Sequence, residues 1–289
     1  MKLIRQVFTD FLSVLICVLL SFAFCVSLQA QTRNDFFKRG QSSDSAGQYG
    51  NAVMSYTTVI ELKPHDTAAL FKRGIDYCRL SNFAAAVTDF DTLIKLNPVS
   101  DYKAYYVKGA GLALLGKKEE ALKALQKSIE INPYYYSAYY TRYSIYYNAN
   151  QFANCAADIE HMLKLDTTGQ AKLYYVLSYC YRQTGDTNRA LLNINIAIHK
   201  GYKNARSYND RGQILMWQNS NAFAIDDFKT ALMYPRDSAN TGIIFLNLGS
   251  ASMNIGLKKD AIIYWKKARD LRYPLPQNIL DMIKDEEKK

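Results

Sequence analysis

The chain has 289 residues, with 36 Lys and Arg against 26 Asp and Glu and a formal charge of +10. Its cations are spread along the whole length instead of forming a clustered stripe, so they read as a solvated surface, and nucleic-acid binding is excluded as a function class. With 3 His and 5 Cys, none at metal-ligand or nucleophile spacing, no metal, cofactor or catalytic centre is expected.

At the start, Lys2 and Arg5 precede an uncharged run from Phe11 to Leu28, followed by Gln29-Ala30-Gln31. A short basic start, an apolar stretch and a small residue before a polar one predict a secretory signal peptide over residues 1–30, cleaved after Ala30. A run of 18 residues is also long enough for an uncleaved anchor, so membrane association through residues 1–30 stays open. Lipid attachment is disfavoured, because Cys17 follows Ile16 and Cys25 follows Phe24 where a small residue is wanted.

Beyond the leader, one pattern of 34 residues returns seven times, in copies starting at Arg33, Thr67, Tyr102, Tyr136, Ala171, Ala205 and Gly242 and ending at Leu275. Extra residues fall only between copies, at Asp101, at Gln170 and around Ser238 to Thr241. A fixed period of this size predicts a solenoid over residues 31–275, in which each unit buries its apolar face against its neighbours. Within a copy, position 4 is large and apolar (Phe36, Leu70, Tyr105, Tyr139, Tyr174, Tyr208, Phe245), and the apolar spacing predicts two helices. Turn signals such as Gly116-Lys117, Gly185-Asp186 and Gly256-Leu257 part the helices, and Pro64, Pro98 and Pro133 stop the second one.

Position 8 is Gly in five copies (Gly40, Gly74, Gly109, Gly212, Gly249), and position 20 is Ala in six, with Cys155 in the fourth. A mid-helix Gly costs roughly 1 kcal/mol against Ala, so a packing reason is required. The expectation is that the bare backbone at position 8 lets the small residue at 20 nest against it. Tyr143 stands at position 8 in the fourth copy and should splay that helix pair. Position 7 is Arg73, Arg142 and Arg211 in the second, fourth and sixth copies, and those same copies carry Asp89, Asp158 and Asp227 at position 23. Three partly buried Arg–Asp pairs inside single repeats are predicted. Arg39 and Lys108, at position 7 of the first and third copies, face Ser55 and Ala124 and must find solvent or other partners.

Past the last copy, Ile279, Leu280, Met282 and Ile283 form an apolar stripe before a charged end, which predicts a capping helix and tail over residues 276–289. Outside the leader the cysteines are Cys78, Cys155 and Cys180, an odd number. Cys155 reads first as a small buried apolar residue, with a disulfide to Cys180 in the adjacent copy as the lesser reading.

This combination of period, Gly, Ala, aromatic and Pro positions resembles the tetratricopeptide repeat family over about 243 residues. The resemblance implies an all-α, right-handed superhelix of helix pairs that binds proteins or extended peptides and is not an enzyme. It implies that the first helices line a concave groove, where Phe37, Phe71, Tyr106, Tyr140 and Tyr175 recur at position 5. Around them would lie Lys72, Arg79, Tyr147, Tyr179, Arg182 and Trp217, a ladder of rings with interspersed cations. The family's clamp for a C-terminal carboxylate is not supplied by any three consecutive copies. The expected function is an exported scaffold or accessory subunit of a cell-envelope assembly. A glycan- or cell-wall-binding protein, or a cytosolic assembly factor if the leader is misread, remain the alternatives.

Overall fold

The computed structural model describes residues 2–97, 101–166, 168, 170–235 and 237–288, and within α1 the side chains of residues 2–17 and 24–26 lie outside that description. The chain divides into two compact units, Met1–Thr141 and Arg142–Lys289. The described residues form helices joined by short turns.

The first unit runs α1 (Lys2–Ser45), α2 (Tyr49–Leu62), α3 (Thr67–Arg79), α4 (Phe83–Leu96), α5 (Tyr102–Leu114) and α6 (Lys118–Ile131), and enters α7 (Tyr136–Asn148). The second holds the rest of α7, then α8 (Phe152–Leu165), α9 (Ala171–Gln183), α10 (Thr187–His199), α11 (Ala205–Trp217), α12 (Asn221–Ala231), α13 (Ser238–Asn254), α14 (Lys258–Asp270) and α15 (Gln277–Glu287). Helices therefore alternate first and second within each 34-residue copy. The candidate cleavage point after Ala30 lies inside α1, which runs unbroken into the first copy. Of the leader's apolar run, Val18, Leu19, Leu20, Phe22 and Leu28 are exposed, whereas packing onto α2 begins with Phe36 and Phe37. Among the described residues, no helix is long and apolar enough to cross a membrane.

Every first helix ends in the same way. Position 15 takes a left-handed conformation in all seven copies, at Gly47, Ser81, Gly116, Asn150, Gly185, Asn219 and Gly256, with φ between 57° and 83°. The next residue's N–H then reaches back to a carbonyl five residues earlier, as in Asn82 to Tyr77 at 2.8 Å and Gln151 to Tyr146 at 2.9 Å. This is the Schellman closure that satisfies the last carbonyls of the helix. Four copies use Gly for it, and three use Ser or Asn at a steric cost. Side chains at the other end do the matching work. Asp66, Asp101, Asn204 and Asp237 accept backbone N–H bonds at the starts of α3, α5, α11 and α13.

The glycines at position 8 make the expected close approach, with a main partner other than the expected one. A Cβ on Gly74 would stand 2.8 Å from the Phe90 ring, and the same holds for Gly40 with Tyr56, Gly109 with Leu125, Gly212 with Phe228 and Gly249 with Trp265. The large residue at position 24 fills the missing side chain's place in all five copies, and in two the small residue at 20 nests there as expected, with the Ala121 and Ala261 carbonyl oxygens 3.2 and 3.0 Å from the Cβ that Gly109 and Gly249 lack. Phe90 and Phe228 are fully buried there, and each such ring is worth roughly 1.5–3 kcal/mol of burial. Where position 8 is larger, position 24 is Ile and not a ring: Tyr143 accompanies Ile159, and Ser178 accompanies Ile194, all buried. Tyr143 does not splay its helix pair at this register, because the Arg142–Asp158 bonds beside it measure 2.9 and 2.6 Å, as short as those in the Gly-bearing copies. At the C-terminal end, Ile279 and Ile283 of α15 pack on Ala261, Ile262 and Trp265 of α14, with Glu287 held by Arg269 at 3.1 Å and Lys266 at 3.3 Å.

Candidate functional site

In the second, fourth and sixth copies an Arg–Asp pair joins the two helices. Arg73 donates from Nε and a terminal nitrogen to both oxygens of Asp89, at 2.9 and 2.7 Å. Arg211 does the same to Asp227 at 2.7 and 2.6 Å, and Arg142 to Asp158 at the distances above. The hydrogen bonds to the carboxylate raise the pKa of Arg73 and of Arg211. The guanidiniums of Arg73 and Arg211 also reach the preceding copy, Arg73 donating to Thr57 Oγ1 at 3.1 Å and Arg211 to Asn195 Oδ1 at 3.0 Å. Lys108 reaches Asp91 at 2.5 Å, while Arg39 is exposed.

In the first unit the first helices carry two features. Phe37, Thr67, Ala68, Phe71, Lys72, Leu93, Asn97 and Asp101 line a pocket of about 400 Å³. Phe37 and Phe71 are half-buried and lie edge-on to the rings of Tyr56 and Phe90, at 5.5 and 5.6 Å. Tyr106 is also half-buried, edge-on to Tyr135 at 5.1 Å, and Tyr140 is 45% exposed. The second feature is a carboxylate pair. Asp76 of α3 is 0% exposed, and one of its oxygens has no hydrogen-bond partner. Its other oxygen accepts from Arg79 at 3.1 Å, and Arg79 also binds Asp44 of α1 while lying over the Tyr49 ring. Burial first, then the Asp44 carboxylate, push the Asp76 pKa up to about 6 against the pull of Arg79. Lys72 Nζ stands 3.8 Å from Asp44.

The second unit gathers the remaining candidates. Tyr147, Phe152 and Tyr179 form a ring cluster, with Tyr147 and Phe152 each 5.6 Å from Tyr179. The Arg182 guanidinium lies 5.2 Å from the Tyr179 ring and 6.0 Å from that of Trp217, which is 58% exposed. Arg182 donates to Gln213 at 2.8 Å and lies 3.5 Å from Asp210. Tyr175 departs from the expectation of an exposed rung. It is 8% exposed, and its hydroxyl donates to Asp210 at 2.6 Å beside the Tyr202 ring. Burial first, then Asp210, raise its pKa. Tyr175 is a packing residue, not a ligand surface. Arg79 and Arg182 likewise point into internal carboxylates, which limits what they can offer a ligand.

Asp44 and Asp210 escaped the sequence reading because they act through partners one repeat away, Arg79 and Tyr175, and Asp76 because only the fold shows its burial. A search for polar side chains facing across neighbouring first helices, at position 5 of one copy and 6 of the next, would have found the contact of Tyr175 with Asp210. Among the described residues, no group of three His, Cys, Asp or Glu side chains could hold a metal ion.

The helical fold is similar to that of known proteins. A family model described as tetratricopeptide repeat matches residues 71–136. Human tetratricopeptide repeat protein 16 is 30% identical over 144 residues, which is 45% of this chain but only 16% of that protein. Among solved structures, the C-terminal part of a TPR repeat-containing protein from Cytophaga hutchinsonii is similar with a TM-score of 0.65 and 15% identity, over 86% of this chain and 99% of that one. A tetratricopeptide repeat protein from Parabacteroides merdae gives 0.54 and 17%, over 88% and 98%. YrrB, described as a TPR protein with an unusual peptide-binding site, gives 0.55 and 18%, over 69% and 98%. At such identities these likenesses show the fold alone.

Proposed function

We propose, from the premise that this chain is a tetratricopeptide repeat protein, that it is an exported scaffold which holds an extended segment of a partner protein. The fold is that of protein- and peptide-binding scaffolds, a class that is typically non-catalytic. The observation that carries the finer reading is the pocket of about 400 Å³ in the first unit, where Phe37 and Phe71 offer half-buried rings beside Lys72. Rings bury an apolar side chain while the cation meets backbone or acidic groups, and a peptide rising about 3.3 Å per residue passes from one repeat to the next within a few residues. Tyr106 and Tyr140 offer further ring surface in the same unit.

Export rests on the basic start, the uncharged run and Ala30-Gln31. The exposed Val18, Leu19, Leu20 and Phe22 on α1, which make no core in this fold, favour it. An envelope assembly is the setting that follows.

Alanine at Tyr106 and Tyr140 tests the reading. Capture of envelope proteins by the purified chain should weaken while helical content and melting stay nearly unchanged. A lower melting temperature with undiminished capture would make these rings packing residues and move the search to the second helices.

A further inference from the structure

The sulfurs of Cys155 on α8 and Cys180 on α9 lie 3.2 Å apart, and both residues are 0% exposed. They belong to adjacent copies. Cys155 holds position 20, where the six other copies have Ala, and Cys180 holds position 10 of the next copy. The remaining cysteine of the repeats, Cys78 on α3, is half-buried. A small apolar residue at position 20 would be satisfied by Ala, as it is elsewhere. A second thiol within contact distance of the first is not explained by packing.

We propose that Cys155 and Cys180 are a disulfide-forming pair that covalently ties the fourth copy to the fifth when the chain meets a disulfide oxidant. Closing the gap to a bonded S–S distance of about 2.05 Å takes roughly 1 Å of side-chain movement. With glutathione disulfide as oxidant, one cysteine thiolate attacks a glutathione sulfur and releases a first glutathione thiolate. The second cysteine thiolate then attacks the protein sulfur of that mixed disulfide and releases the second. The pair gives up two electrons and two protons; one glutathione disulfide becomes two glutathione thiols. The hydrogen bond between the two cysteines, and then burial, hold the Cys155 thiol above its ordinary pKa, so the reaction passes through opening of the α8–α9 contact and is slow.

The consequence is local. A solenoid's stability is the sum of its repeats and their nearest-neighbour contacts, so a bond across one contact prevents those two copies from parting. This site is separate from the proposed peptide surface of the first unit, and its test does not depend on a partner being found.

The purified full-length chain is incubated in glutathione redox buffers, with and without sub-denaturing urea to open the buried contact. It is then acid-quenched, unfolded, alkylated and mapped by mass spectrometry. The expected product has one peptide pair joined through Cys155 and Cys180, an alkylated Cys78, and a melting temperature higher by roughly 5 °C or more that reductant reverses. Cys155→Ala, which restores the residue of the other six copies, should fold and show neither the link nor the rise. Alkylation of both cysteines after the urea-assisted oxidation would overturn the proposal. So would stable mixed disulfides with glutathione, or links to Cys17, Cys25 or Cys78 instead.

Discussion

Replacing Asp89 by Asn tests whether the Arg–Asp pairs hold the repeats together. The wild-type carboxylate accepts two bonds from Arg73, and the two side chains are 16% and 5% exposed. A hydrogen bond to a charged group is worth about 1.5–3 kcal/mol net. Asn keeps one acceptor oxygen but loses the charge and turns an amide donor toward the guanidinium, whose remaining partner is Thr57 at 3.1 Å. The expected loss is therefore that of about one such bond, about 1–3 kcal/mol. Asp91→Asn is the control, since Asp91 is 41% exposed beside Lys108, and it should cost no more than about 0.5 kcal/mol. The double variant Arg73→Met/Asp89→Leu leaves neither charge stranded and should fall well short of the sum of its single changes. Urea unfolding followed by circular dichroism gives all of these values. If Asp89→Asn is no more costly than Asp91→Asn, or if the double variant equals the sum of its parts, the pairs are surface decoration and the reasoning fails.

Three further outcomes follow from the same geometry. Ser81→Gly should stabilise the chain by about 0.5–1 kcal/mol, because Ser81 sits at φ 58° where four other copies use Gly; denaturant midpoints check it, and Asn150→Gly should gain less. Gly74→Ser should destabilise by about 1–3 kcal/mol through its contact with Phe90, and adding Phe90→Ile, the pairing found at Ser178 and Ile194, should recover much of the loss in the same assay. The Asp76 carboxyl ionises near 3.8 when unfolded and near about 6 when folded, so across that window the folded state holds more protons and stability falls as pH rises. The fall is on the order of 1–3 kcal/mol, and Asp76→Asn should flatten it in melting curves taken from pH 4 to 7.

Much of the architecture is legible in the residues because a solenoid repeats its constraints. Position 7 and position 23 change together in the same three copies, and that covariation alone places Arg73 near Asp89. The Gly at position 8 announces a close approach but not its partner. Both 20 and 24 lie on the facing helix, and only the folded chain shows Phe90 alone against Gly74 while Gly109 meets both Leu125 and the Ala121 carbonyl. The left-handed turn was visible at Gly116 and hidden at Ser81, because the local sequence of a Ser turn does not specify φ. Tyr175 misled for a different reason. Its position matches that of Phe71 and Tyr106, yet Asp210, one repeat on, draws its hydroxyl inward. A position in a repeat fixes which way a side chain leaves the helix; the neighbouring repeat decides whether it stays exposed.

The central claim is that the first helices of the leading unit hold a partner's extended segment. A photoreactive residue placed at Lys72 or Tyr140, with a control at the exposed Lys123 of the second helix α6, measures this directly in cells. The account predicts one shared protein captured from both first-helix positions and absent from the control, with the same short peptide of that protein carrying both crosslinks. Equal capture from Lys123, or crosslinks at positions 72 and 140 that fall on unrelated proteins, would contradict it.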